Sequence, residues 1–181
     1  MQKVQIFIGS PRKNGNTFTL VEKFEEGMDK KNFITEVSFL YDYNIYPCDD
    51  CRACKADEKE CIISDDMNEI YRRIDDADIL IFATPIYWFG PTAKTKLLID
   101  RLRPYYANKK LEKKKAALIL TAGSGESDCD LTIEMFKRSF LALGVEYIGS
   151  VTSEAYDIGE SAKDELANTS IKQLLSQINY E

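Results

Sequence analysis

Val4-Gln5-Ile6-Phe7-Ile8-Gly9-Ser10-Pro11-Arg12-Lys13-Asn14-Gly15-Asn16-Thr17 runs from a β-branched apolar segment directly into a turn rich in glycine, proline and asparagine. Leu20, Val21, Phe24 and Met28 then mark one apolar face at helical spacing. A strand, a tight loop and a helix in immediate succession is the opening unit of an α/β chain. The rest of the sequence repeats the rhythm. Further strands read at Ile34–Leu40, Ile79–Ala83, Ala117–Thr121 and Val145–Val151. Asp65 and Asp66 stand before a helix through Ile70 and Ile74, where their charge suits the positive N-terminal end. Longer helices are expected from about Thr92 to Tyr105 and from Leu131 to Leu143, the latter stopped by Gly144. Ile171, Leu174, Leu175 and Ile178 share a face of a last helix.

Strands alternating with helices imply a parallel sheet covered on both sides. Five strands in this rhythm fit the flavodoxin-like order 2-1-3-4-5, a three-layer sandwich forming one domain over 1–181 with a cysteine-rich insertion at about 47–64. Ligands of such sheets bind outside the carboxyl ends of the strands. The turn after strand 1, the cysteines after strand 2, an aromatic segment after strand 3 and a glycine loop after strand 4 are all expected at that edge.

Composition narrows the function. The 181 residues are 44% hydrophobic and 30% charged, which suits an ordinary globular protein with a sizeable core. A net charge of −6 disfavours nucleic acid or an anionic membrane as partner. No apolar run reaches membrane-spanning length, and the strand beginning at Lys3 leaves no room for a signal peptide. A cytoplasmic location with reduced thiols is therefore expected. The chain has no histidine, so imidazole ligation and imidazole acid–base chemistry are absent.

Gly9–Thr17 is neither a Walker loop nor a G-x-G-x-x-G turn. It supplies hydroxyls at Ser10 and Thr17, an amide at Asn16, and backbone N–H groups at a helix N-terminus, which together suit a phosphate dianion. Arg12 and Lys13 add positive charge or are simply solvated. The plainer alternative is a turn in which Asn16 or Thr17 caps the helix. Pro85-Ile86-Tyr87-Trp88-Phe89 is costly to leave in water and fits a flat ring system or a subunit contact. Gly123, Ser124 and Gly125 permit close backbone approach after strand 4.

Cys48, Cys51, Cys54 and Cys61 follow the spacing C-x2-C-x2-C-x6-C and include four of the five cysteines. Thiolates so close can converge on one inorganic group, and a [4Fe–4S] cluster suits them best. Structural zinc more often takes two separated C-x2-C pairs. Free or redox-active thiols are the third reading. The intervening charges, Asp49, Asp50, Arg52, Lys55 and Asp57 to Glu60, read as a solvated loop surface. Asp42 reads as a turn residue and Cys129 as a small buried one.

At this point a resemblance becomes specific. Gly-Ser-Pro-Arg-x-x-Gly-Asn-Thr at 9–17 resembles the FMN phosphate loop of the NAD(P)H-dependent FMN reductase and flavodoxin-like quinone reductase superfamily. Thr84-Pro85-Ile86-Tyr87-Trp88-Phe89-Gly90 resembles the motif that lines the isoalloxazine ring there. Pro47–Met67 is similar to the iron–sulfur flavoprotein branch, although no proline follows Cys61 as in bacterial ferredoxin runs. The second half matches in element order and in Ala122-Gly123-Ser124-Gly125, whose N–H groups, by resemblance, approach the pyrimidine side of the ring. The resemblance implies an FMN-dependent oxidoreductase that passes electrons from NAD(P)H or reduced ferredoxin to a quinone, an oxygen species or a carrier. It also implies a homodimer or homotetramer. No catalytic side chain is required, since the flavin carries the chemistry; Tyr87 is the one candidate for a proton or ring contact. The alternatives are a cluster-free FMN or quinone reductase, a non-enzymatic flavodoxin-like electron carrier, and a zinc-dependent interaction module.

Overall fold

The computed structural model describes residues 1–56 and 60–179. Asp57, Glu58 and Lys59 of the cysteine segment lie outside the described residues. Five parallel strands form the sheet: β1 (Gln2–Ile8), β2 (Phe33–Phe39), β3 (Ile79–Tyr87), β5 (Lys115–Ala122) and β6 (Glu146–Glu154). They stand in the order β2-β1-β3-β5-β6, and a two-residue antiparallel strand, β4 (Gly90–Pro91), pairs with the end of β3. The expected flavodoxin-like order is thus present, with one short strand added.

Burial explains which strands are central. β1, β3 and β5 are buried on both faces and read as nearly continuous apolar runs, whereas β2 alternates as an edge strand should. Alternation within the central strands splits the core into two. Ile6, Ile8, Ile81 and Ile119 face α1 (Asn16–Gly27) and α6 (Glu165–Asn179). Phe7, Leu80, Phe82 and Leu118 face the helices of the other layer: α2 (Met67–Asp76), α3 (Ala93–Asp100), α4 (Arg103–Asn108) and α5 (Glu126–Leu143). Phe82, Phe136 and Phe140 meet there with ring centroids 5.2 to 5.6 Å apart.

Three expected boundaries are corrected. The single helix expected over Thr92–Tyr105 is two helices, interrupted at Arg101 and Leu102. Pro104 has no N–H, and its ring would collide with the carbonyl one turn back, so the first helix ends before it. The helix expected from Leu131 begins at Glu126, where Glu126 and Asp128 favour the positive end of the helix. It ends at Gly144 in the left-handed region (φ 72°), as expected. Strand β3 runs past Ala83 to Tyr87, pairing with β5 as far as Pro85 and Thr121. The aromatic segment is therefore the tip of a hairpin rather than an irregular exit turn.

Candidate functional site

Gly9 begins the loop after β1, and its N–H donates to the carbonyl of Ala83 at 2.7 Å. A buried group of threonines holds it from below. Thr92 Oγ1 donates to the Gly9 carbonyl at 2.6 Å and lies 3.0 Å from Thr95 Oγ1, which donates to Thr84 Oγ1 at 3.1 Å. A Cβ at Gly9 would stand 1.8 Å from Thr95 Oγ1, so any other residue would have to displace the Thr95 side chain. Thr92 also caps α3 by accepting from the N–H of Thr95. Sequence reasoning missed these threonines; their only visible signal was the conspicuous run of Thr84, Thr92 and Thr95 around the aromatic segment.

The loop side chains are engaged within the protein. Ser10, buried, accepts from the N–H of Arg12 at 3.2 Å. Thr17 Oγ1, also buried, lies 2.9 Å from Thr121 Oγ1 beneath the loop. Asn16 Nδ2 donates to the carbonyl of Asp157 at 2.8 Å, and Asn16 Oδ1 accepts from the N–H groups of Gly159 at 2.9 Å and Ser161 at 3.4 Å. Lys13 Nζ pairs with Asp42 at 2.6 Å and lies over the Phe39 ring, which gives Asp42 a role beyond a plain turn residue. Arg12 is exposed. What faces an incoming anion is then backbone. Helix α1 has Gly15 at its N-cap, with no side-chain cap and no acidic residue in its first turn, leaving its initial N–H groups to a ligand.

Beside this loop, Ile86 pairs with Pro91 and Tyr87 with Gly90, leaving Trp88 and Phe89 as a two-residue hairpin loop. Both have positive φ, 50° and 62°, the conformation of a type I′ turn that normally selects asparagine and glycine. Tyr87, Trp88 and Phe89 are 47%, 95% and 60% exposed. Large aromatic residues in a strained, exposed turn point to a function for their rings. On the other side, Gly125 is left-handed at the start of α5, and a Cβ at Gly123 would touch the Tyr156 ring at 3.3 Å. The N–H of Ser124 donates to Asp128 at 3.2 Å. Residues 155–161, which follow β6, thus complete the edge between Asn16 and Gly123. Nothing in their composition marked them, although their place after a strand did.

The cysteines are the main correction to the expected arrangement. Cys48, Cys51, Cys54 and Cys61 line one cavity, together with Arg101, Arg103 and Pro104. None of the residues lining it comes from the loops after β1, β3 or β5. It lies against the elbow between α3 and α4, and an adjoining open cavity joins Cys48 to Ser139 and Leu143 at the far end of α5. The α3 helix, eight residues and about 12 Å long, separates this place from the Gly9 loop. All five cysteines are free, and among the described residues no three potential ligands stand close enough to hold a metal ion. The donor set still suits a thiolate-bound group: four sulfurs on one cavity, with two guanidinium groups to offset their charge. Burial pushes the Cys54 thiol up, against the opposing influence of Arg103. Asp50 pairs with Arg103 and with Arg52, and both Asp50 and Arg52 are left-handed (φ 54° and 64°) on either side of Cys51. Cys129 is buried under the glycine loop, its thiol pushed up to about 12 by burial.

Comparison with known proteins gives the family. The chain is 33% identical to an iron-sulfur flavoprotein of Methanocaldococcus jannaschii, over 78% of this chain and 72% of the relative. It is also 33% identical to a Bacillus subtilis protein that bears the name NAD(P)H-dependent FMN-containing oxidoreductase, over 97% of both chains. The structure of the Trp repressor binding protein from Bacillus subtilis superposes with a TM-score of 0.74 and 27% identity, covering 96% of this chain and 97% of that one. An NAD(P)H:quinone oxidoreductase from Methanothermobacter marburgensis shares the fold at a TM-score of 0.67, with 21% identity over 97% and 94% of the two chains. Residues 2–155 match the model of the NADPH-dependent FMN reductases. Uncapped α1, the aromatic hairpin and the glycine loop therefore belong to a member of the NADPH-dependent FMN reductase family, an FMN-dependent oxidoreductase.

Proposed function

We propose that the chain, one domain over 1–181, seats the FMN phosphate on the first turn of α1 and the ring system between Tyr87–Phe89 and Gly123–Gly125. One observation carries the reading. Three loops of unrelated sequence meet at one sheet edge and are tied together, Thr92 to Gly9 and Asn16 to residues 157–161. FMN, once bound, supplies hydride acceptance from NAD(P)H and electron delivery to a quinone, an oxygen species or a carrier protein. The protein's own part is to hold it: backbone donors for the phosphate, aromatic faces for the ring, and the close backbone approach that Gly123 and Gly125 allow at its polar edge. Ser10, Asn16, Thr17 and Lys13 shape the loop, while Arg12 is left to meet the phosphate or a charged cosubstrate.

The four cysteines take a [4Fe–4S] cluster in this reading, held by Cys48, Cys51, Cys54 and Cys61 and passing single electrons. The shared cavity and the name of the methanogen relative support it. Cytoplasmic assembly as a homodimer or homotetramer is part of the same proposal, because a subunit contact would cover the exposed hairpin aromatics.

The test is an anaerobic absorbance spectrum with flavin, iron, sulfide and zinc assayed on one sample, followed by turnover with NAD(P)H and a quinone. Flavin with about four irons per chain and rapid turnover is the expected result. Bound flavin without iron after reconstitution removes the cluster, and flavin without turnover turns the protein into an electron carrier. Riboflavin should bind on the order of a hundredfold more weakly than FMN if α1 holds the phosphate. Equal affinity would move the phosphate elsewhere.

A further inference from the structure

The segment bearing the cysteines leaves the sheet after β2 and returns at α2; its stems are joined at their base, where the N–H of Asn44 donates to Asp66 at 2.6 Å, and next to the cysteines by Arg101. Arg101 Nη1 donates to the carbonyl of Tyr46 at 2.8 Å and to Asp65 Oδ2 at 2.6 Å. Arg101 Nη2 donates to Asp65 Oδ1 at 3.1 Å and to the carbonyl of Ile63 at 3.5 Å. Asp65 accepts in turn from the N–H groups of Tyr46 at 2.7 Å and Met67 at 3.0 Å. Tyr46 stands just before Cys48 and Ile63 just after Cys61, so this pair touches both ends of the cysteine segment, one step nearer the thiols than the Asn44–Asp66 bonds.

Both side chains are fully buried, at 1% and 0% exposure. A buried ion pair is a poor device for stability, because apolar residues of similar volume would do as well or better. It is suited to fixing geometry. Arg101 has one further property. Its Nε is buried and has no hydrogen-bond partner among the described residues, and the residue lines the cavity shared by the four thiols. An unspent buried donor is rare enough to need an acceptor, and the cavity it borders is lined by sulfur. Cys61 lines this cavity and also a neighbouring one beside Tyr71, whose hydroxyl donates to the Arg101 carbonyl at 2.5 Å.

The other arm is held differently. Asp50 is pinned by Arg103, and Cys51 sits between two left-handed residues. Cys51 and Cys54 therefore have a second anchor in Asp50 and Arg103, while Cys61 stands next to the stem that Arg101 holds at Ile63.

We propose that Arg101 is the positioning residue of the cysteine site: clamped to Asp65, it brings Cys61 to the cavity of the other three thiols and offers Nε–H to the anionic sulfur held there. This rests on the four cysteines acting as one thiolate site, whatever group they bind.

The test uses full-length, FMN-loaded, reduced protein, with Cd2+ alone as the probe and alkylation of each cysteine followed by peptide mass mapping. In the wild type, Cd2+ should protect Cys48, Cys51, Cys54 and Cys61 together. Arg101→Gln combined with Asp65→Asn removes both charges at once. Cys61 should then fall out of the protected set and alkylate at least about tenfold faster in metal-free protein. Cys51, Cys54 and the FMN affinity should stay within about twofold of wild type. Unchanged Cys61 reactivity, or equal acceleration at all four cysteines, overturns the assignment. If the double variant no longer binds FMN, R101K decides: it retains the charge and loses the planar fork, so acceleration confined to Cys61 supports the clamp and none refutes it. A wild type in which Cd2+ protects fewer than four thiols would instead sink the common thiolate site, and the metal-free rate at Cys61 would still judge Arg101.

Discussion

Gly9 is the residue on which the flavin edge depends most directly. A methyl group there would lie 1.8 Å from Thr95 Oγ1, inside a threonine group that also anchors α3. Gly9→Ala is expected to cost about 1–3 kcal/mol of stability by overpacking and to weaken FMN, measured by urea unfolding and flavin titration. Adding Thr95→Ala should recover part of the loss; a strictly additive double variant would contradict the clash. Asn16 illustrates a different lesson. From the sequence its amide looks like a phosphate ligand, whereas its two polar atoms are spent on Asp157, Gly159 and Ser161. Asn16→Asp should still weaken FMN, because the carboxylate turns a donor toward the Asp157 carbonyl into a repulsion. Faster proteolysis at 155–161 should accompany the loss. The glycines, hydroxyls and cysteines were legible as types at positions. Their partners were not, since a bond such as Asn16 to Asp157 joins residues 141 apart in the chain.

At the level of elements, periodicity located every main strand and helix, and it failed where a local rule competed with the pattern. The apolar spacing of Thr92–Tyr105 runs straight through the interruption at Arg101 and Leu102, because Leu98, Leu102 and Tyr105 remain buried on either side of it. The proline that forces the break was visible, and its consequence, an arginine turned toward the cysteines, was not. The hairpin offers a sharper test. Trp88 and Phe89 occupy a turn geometry suited to Asn-Gly. Trp88→Asn with Phe89→Gly should therefore stabilise the protein by about 1–2 kcal/mol, read as a higher unfolding midpoint. The same change should lower FMN or quinone affinity about five- to tenfold through lost ring contacts. A variant with higher stability and unchanged binding would reduce the aromatic tip to an assembly surface.

For the molecule as a whole, charge sets the response to pH. With no histidine, stability should be flat between about pH 5 and 8. Asp65 is held below the usual carboxylate range: burial pushes it up, and the hydrogen bonds from Arg101 and the Tyr46 N–H outweigh that. Asp164 is lowered likewise, burial being outweighed by N–H and hydroxyl donors around Ala167 and Ser153. A depressed carboxylate contributes stability above its unfolded pKa of about 3.9 and loses it as pH falls through the folded value. Acid unfolding should accordingly set in below about pH 4, and the Arg101→Gln, Asp65→Asn variant should flatten that limb in urea titrations at successive pH values.

The short helix α3 has a mechanical meaning beyond its packing. Its first cap, Thr92, grips the carbonyl of Gly9, and just past its last residue Arg101 grips both stems of the cysteine segment. Eight residues of helix are too stiff to stretch or bend appreciably on their own. It acts as a spacer bar: the loop gripped at Gly9 and the stems gripped by Arg101 are held apart at a distance set by the length of the helix.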